Sequence, residues 1–331
     1  MVKIEGMAPC TSRFLRISCG FGLALLSVLL PCRADDKVAL PATCYLFAYF
    51  IGAGDDGLHL AWSRDGLKWN ILRDGKIFLK STVGNKKMRD PYLMQGPDKV
   101  FRLAWTSSDR LQIGYASSKD LMTWSDQEEL MVMASEPDAI NCWAPAINYD
   151  KATKSYQLIW ASTIPGRFPE TTDRAEGTYN HRLYFTTTTD FETFAPAKLL
   201  YDPGFPEIDG VILPAKKKYY LIFKNETLKP VLQKNLQLAS SKSLSGPYVD
   251  LTGPIKTNPP AWVEGPSAIK IGDSYIIYYD CYMQNHYGAI RSRNLRDWQD
   301  ITSRLVMPSG MRHGSVLAVP SSVIANLLSA K

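Results

Sequence analysis

Three acidic residues sit in closely matching surroundings: Asp90 in Arg89-Asp90-Pro91, Asp209 in Ile208-Asp209-Gly210 and Glu264 in Val263-Glu264-Gly265. Two further segments share the pattern, Cys142-Trp143-Ala144 and Arg312-His313-Gly314. Each of the five comes just before an apolar stretch that reads as a strand, so all five are expected at one equivalent position. Taken singly, they read as turn openers, strand ends or packing residues. Taken together, they bring three carboxyls, an indole and an imidazole to one place, where crowded carboxyls raise one another's pKa. The chemistry that uses separated carboxyls in different protonation states is cleavage of a glycosidic bond. One protonated acid serves the leaving oxygen, and one ionised carboxylate activates water on the opposite face. For inversion the two stand roughly 6.5–9.5 Å apart, and a third carboxyl can orient the acid and sustain its proton affinity. Aromatic rings such as Trp143, Trp262 and Phe205 offer faces on which a sugar stacks.

The elements that must position these groups repeat five times. A strand dense in aromatic and branched residues recurs at 46–50, 101–105, 156–160, 219–223 and 275–279. Each is followed by a strand ending in Ser or Thr, a turn and an aromatic residue, at 58–69, 111–124, 182–194, 236–248 and 288–298. Four of the aromatic strands are preceded by a third strand, at 91–96, 144–150, 210–216 and 265–272. The first copy lacks it, and the missing member stands at the far end of the chain as residues 314–320. A strand displaced between the termini is the device that closes a ring of sheets and removes free edges. The expected fold is therefore all-β: a five-bladed β-propeller with four strands per blade, its ring closed by the C-terminal strand pairing into the N-terminal blade. Its inner strands would carry the five candidate residues to one mouth of the central channel. Only the last residues, 321–331, read as a helix.

Composition sets the outer bounds. The chain has 331 residues, 45% of them hydrophobic and 21% charged, which supports a sizeable core and excludes general disorder. The formal charge is +6, but four basic residues and one acid lie within residues 1–34, and the remaining excess is small and scattered. No nucleic-acid partner is expected. Lys3, Arg13 and Arg16 precede the apolar run 17–30, and Cys32-Arg33-Ala34 follows, which is the pattern of a secretory signal peptide over residues 1–34. Residues 35–331 would then be a single domain, secreted or periplasmic, with no membrane partner and expected as a monomer. Cys44, Cys142 and Cys281 would be the cysteines left, isolated and without zinc-ligand spacing. Residues 164–181 fall between two strands of a blade and read either as a rim of the pocket or as a surface loop.

These segments resemble glycoside hydrolase family 43, over about residues 43–320. The resemblance implies that Asp90 is the general base, Asp209 the residue that tunes and orients the acid, and Glu264 the general acid. It implies substrate contacts at Arg89, Trp143, Trp262, Arg312 and His313. It also implies an oligo- or polysaccharide substrate, and calcium in the channel near His313 in members that carry it, with no cofactor otherwise required. The family inverts the anomeric centre. The strand opening at Tyr45 and the Arg-Asp-Pro, Ile-Asp-Gly and Arg-His-Gly segments look most like an α-L-arabinofuranosidase branch acting on terminal units. Position 146 is Ala where many members carry Glu or Gln. A β-xylosidase, a galactan-type hydrolase and a sugar-binding propeller without catalysis are the rival readings.

Overall fold

Short polar turns join pairs such as β-strands 143–150 and 155–162, 207–215 and 218–225, and 264–271 and 274–281, and the chain folds as a succession of antiparallel sheets. The computed structural model describes residues 39–107, 110–249 and 253–330. The expected signal peptide, residues 1–34, lies outside them. In chain order, β1 (Thr43–Ile51), β2 (His59–Ser63) and β3 (Trp69–Ile71) form the first blade. The second holds β4 (Arg89–Gln95), β5 (Phe101–Thr106), β6 (Ile113–Ser118) and β7 (Glu128–Leu130). The third holds β8 (Trp143–Asp150), β9 (Ser155–Ser162), β10 (Arg182–Thr188) and β11 (Lys198–Tyr201). The fourth holds β12 (Glu207–Ala215), β13 (Lys218–Asn225) and β14 (Asn235–Ser241). The fifth holds β15 (Glu264–Ile271), β16 (Ser274–Cys281), β17 (His286–Ser292) and β18 (Gln299–Asp300). Last come β19 (Met311–Pro320) and a helix, α1 (Ser321–Ser329).

β19 returns to pair with β1 across Thr43–Ile51, so the first sheet runs β19-β1-β2-β3 and the ring closes as expected. The inner strands β19, β4, β8, β12 and β15 pack in that order around the channel, with β15 against β19. Side chains stitch neighbouring blades: the Leu93 amide donates to Ser315 Oγ at 2.7 Å, and the Val316 amide to Ser267 Oγ at 2.8 Å. Apolar clusters fill the wedges between blades; one joins Phe47, Trp69, Tyr278 and Tyr287 across the first and fifth. Helix α1 buries Ile324 and Leu327 against the first two blades.

The Ser/Thr-turn-aromatic pattern has a local cause. Ser63 Oγ accepts the Gly66 amide at 2.9 Å, and Asp65 Oδ1 accepts the amides of Leu67 and Lys68 at 2.8 and 2.9 Å. Ser118 with Asp120, Thr188 with Asp190, and Ser292 with Asn294 make the same pair of turns. Side-chain acceptors two and three residues ahead of the amides satisfy the turn without a strand partner. Among the described residues the fourth blade has three of the expected four strands, and at the place of its outer strand a bridge joins Ser240 and Val249. Pro247 falls where ladder donors are needed, and proline has none to give.

Candidate active site

Every inner strand carries a β-bulge at the same height. Pairing skips a residue between Arg89 and Tyr92, Trp143 and Ala146, Ile208 and Val211, and Glu264 and Ser267, and again where β19 passes Tyr49 and Phe50. The bulged residues Asp90, Ala144, Asp209 and Gly265 take left-handed φ angles of 51°, 48°, 59° and 55°. A bulge re-aims side chains, and this one turns them into the channel. The ring of bulged residues is Asp90, Ala144, Asp209, Gly265 and His313. Arg89, Trp143, Ile208, Glu264 and Arg312 precede them. The expectation that the five candidates share one position is thus corrected: Trp143 and Glu264 stand one residue earlier than the others. Aligning on Pro91, Pro145, Gly210, Pro266 and Gly314, each just after the bulged residue, gives the true register.

The offset separates a floor from a wall. On the floor, Asp90 Oδ1 lies 3.3 Å from His313 Nδ1, and its Oδ2 accepts the Thr106 hydroxyl at 2.7 Å. Burial alone would raise Asp90, but the hydrogen bond and charge of His313, with Arg89 and Thr106, hold it at about 2. Asp209 Oδ1 lies 3.9 Å from the same imidazole nitrogen, and its Oδ2 accepts the Gly265 amide at 2.9 Å. Here burial wins, aided by repulsion from Glu264 and opposed by His313, and Asp209 is pushed up to about 6. Burial works against charge on His313, yet Asp209, Asp90 and Glu264 raise it to about 9. The centre of the floor is therefore an imidazolium between two carboxyl groups of unequal proton affinity.

Glu264 stands on the wall. Its carboxylate meets Lys224 Nζ at 3.0 Å and Arg312 Nη2 at 3.1 Å. Its side chain is 20% exposed, against 12% for Asp90 and 6% for Asp209. Behind it runs a ladder of charges that sequence reasoning missed. Lys224, 4% exposed, also meets Glu226 at 2.5 Å. Lys234, 1% exposed, bonds to Glu226 and reaches Glu176 at 2.7 Å. Burial would raise Glu226, but the two lysines hold it at about 2.

The cavity over these groups has a volume of ≈ 590 Å³ and is lined by Arg89, Asp90, Trp143, Asp209, Glu264 and His313, among others. Trp143 packs against Tyr179 at 4.7 Å and against His181 at 5.3 Å, and Tyr179 stacks on His181. Burial lowers His181 to about 4, so its ring is neutral in this aromatic wall. Tyr179, His181 and Glu176 place the 164–181 segment at the pocket as a rim. Arg182 anchors that rim: wholly buried, it donates to Asp202 at 2.7 Å and Thr171 at 2.9 Å and lies 4.2 Å from the centre of the Phe168 ring. Trp262 and Arg312 stand behind the lining; Trp262 packs edge-on against Tyr282, which does line the cavity. Phe205 is not part of the cavity lining; half-buried, it stacks on Phe223 against the core. Ala146 is buried there too.

At the place where calcium was expected, His313 faces Asp90 and Asp209 with its imidazole raised to about 9, and among the described residues no group of three or more His, Cys, Asp or Glu is placed to hold a metal ion. Cys44, Cys142 and Cys281 are buried and unpaired to one another. Among the described residues no helix is long and apolar enough to cross a membrane.

Similarity to known proteins agrees with the fold. The glycosyl hydrolase 43-related family model, described as "Probable glycosyl hydrolase domain", matches residues 41–323. An α-L-arabinofuranosidase of Bifidobacterium longum subsp. longum is 22% identical over 76% of this chain, which spans only 29% of that relative's length. A thermostable family-43 glycoside hydrolase superposes with a TM-score of 0.54 at 16% identity, over 71% of this chain and 81% of that one. An exo-β-1,3-galactanase from Clostridium thermocellum superposes with a TM-score of 0.52 at 15% identity, over 72% and 50%. At such identities the superpositions speak to the fold, whereas the family match covers most of the sequence. The chain belongs to the glycosyl hydrolase 43-related family.

Proposed function

We propose that the protein is an inverting exo-glycosidase that releases terminal pentose units, α-L-arabinofuranose foremost, from oligo- or polysaccharide. The observation that carries this reading is the division of the three carboxyls: Asp90 held at about 2 on the floor, Asp209 raised to about 6 beside it, and Glu264 on the more open wall. Asp90 takes a proton from water, whose oxygen attacks the anomeric carbon. The bond from that carbon to the leaving oxygen breaks, and Glu264 supplies the proton that oxygen needs. Asp209 holds the backbone next to Glu264 through the Gly265 amide and repels its charge. The rim residues Tyr179 and Glu176 bound one side of the cavity, which suits a chain end. The name of the Bifidobacterium relative supports arabinofuranose.

A second reading of the proton's place rests on the two cations that grip Glu264 and on the raised Asp209: the donor could be Asp209 itself. Substitution separates the two. If Glu264 is the donor, Glu264→Gln loses turnover of unactivated glycosides but keeps that of a dinitrophenyl glycoside, whose leaving group needs no proton. If Asp209 is the donor, Asp209→Asn behaves so instead. On this reading no cofactor is required, so chelators leave activity intact; loss of activity on chelation would place calcium in the channel near His313. Secretion is proposed from the signal-peptide pattern of residues 1–34, and mass spectrometry of the mature N-terminus tests it. Nitrophenyl glycosides of arabinose, xylose and galactose, followed by arabinan, arabinoxylan and galactan, test the activity. Sugar binding without release from any of them would make the protein a carbohydrate-binding propeller.

A further inference from the structure

Asp280 lies in β16, in the run Ile276-Ile-Tyr-Tyr-Asp280-Cys281, where every neighbour is apolar or aromatic. It is 1% exposed and pairs in register with Glu264 on one side and Tyr287 on the other. A carboxylate at such depth is costly unless it is partnered. Its partners converge on the site. Asp280 Oδ2 accepts Arg312 Nε at 2.7 Å and the His313 amide at 3.2 Å. Arg312 then donates through Nη2 to Glu264 Oε1 at 3.1 Å. Asp280 Oδ1 has no hydrogen-bond partner among the described residues. One carboxylate oxygen thus holds both the guanidinium that aims Glu264 and the backbone of the residue that faces Asp90. Burial, with the charge of Glu264, raises the Asp280 carboxyl, and Arg312, with the charge of His313, opposes that rise.

We propose that Asp280 is a positioning residue for proton donation: through Arg312 it fixes Glu264 toward the leaving oxygen, and through the same oxygen it ties the acid side of the site to the base side. The proposal rests on Glu264 being the donor. Its signature is dependence on the leaving group, since a misaimed acid slows only reactions that need its proton.

The test compares an unactivated arabinoside, or the best substrate of the panel, with its dinitrophenyl counterpart in Asp280→Asn, Arg312→Lys and Glu264→Gln, each with a thermal unfolding midpoint. For Asp280→Asn, kcat on the unactivated glycoside is expected to fall about 10- to 100-fold with KM changed less than about threefold, while dinitrophenyl turnover stays within about threefold of wild type. Arg312→Lys keeps the charge but not the two-pronged geometry and should show the same split, which keeps the proposal testable if Asp280→Asn does not fold. Equal losses on both substrates, or no loss on either, would overturn the role of Asp280. If Glu264→Gln shows no split, the assignment of the donor fails; if it shows one and the Asp280 and Arg312 variants do not, only the positioning role falls.

Discussion

The Nδ1 atom of His313 stands 3.3 Å from Oδ1 of Asp90, and this contact keeps a buried carboxylate ionised where burial alone would neutralise it. The gain is mutual, since His313 stays protonated up to about pH 9. Replacing it by glutamine removes the charge and leaves the burial. In His313→Gln the acid limb of kcat/KM should therefore move to higher pH, as Asp90 takes up its proton sooner. Stability carries the opposite sign. A histidine raised from 6.5 to about 9 stabilises the fold fully below pH 6.5, and that contribution is lost as pH rises through 9. Wild type should lose more of its melting temperature than His313→Gln between about pH 6 and about pH 10. Parallel losses would contradict the imidazolium.

Asp209 pulls the other way. Its carboxyl is raised from 3.8 to about 6, so its contribution favours the fold below pH 3.8 and is lost as pH rises through 6. Asp209→Asn cannot acquire that buried charge and still offers an oxygen to the Gly265 amide. It should melt at or above the wild-type temperature at neutral pH while losing activity, and the loss of melting temperature that wild type shows as pH rises through about 6 should be smaller in the variant. A variant less stable than wild type at neutral pH, with that loss unchanged, would count against the raised carboxyl.

Gly265 is the bulged residue beneath the imidazole. Its φ is +55°, and a Cβ there would lie 2.4 Å from His313 Cγ. Gly265→Ala should cost about 1–3 kcal/mol of stability and displace His313, lowering kcat/KM more than the lost stability explains. Denaturant unfolding with kinetics on the folded protein checks both. Full activity would mean that the contact under the ring is dispensable.

Glu226 lies between two lysines that are nearly out of reach of solvent, Lys224 and Lys234. Glu226→Gln removes the partner the two lysines share, leaving Lys224 with Glu264 and Lys234 with Glu176, and should destabilise by about 1–3 kcal/mol. Adding Lys234→Met should return part of that loss, because it removes one of the two buried charges that Glu226 balanced. Chemical denaturation of the single and double variants measures the recovery, and its absence would mean the ladder is not coupled.

The fold was readable because its signals are local. Each Ser/Thr-turn-aromatic segment makes its own hydrogen bonds within a few residues, and the stray strand at Gly314–Pro320 had one open place to go. Asp90, Asp209 and His313 were readable for the same reason, since each bulge lies beside a proline or glycine. Trp143 and Glu264 were found but misplaced by one residue, because Ala144 and Gly265 do not reveal that they are the bulged positions; Pro145 and Pro266 do. Lys224, Glu226 and Lys234 were not found. At the end of β13 and the start of β14 they read as ordinary polar ends, and only the approach of Glu176 and Glu264 from elsewhere in the chain gives them a task. Asp280 had a visible signal, a carboxylate within an apolar strand, whose meaning depends on Arg312 arriving from the closing strand.

The central claim, that water is activated across the sugar from Glu264, is tested most directly by proton NMR of the sugar as it first appears. The account predicts release with inverted anomeric configuration, followed by slow mutarotation. Net retention at the earliest times would contradict it, because it would require one of the carboxylates to attack carbon rather than serve water.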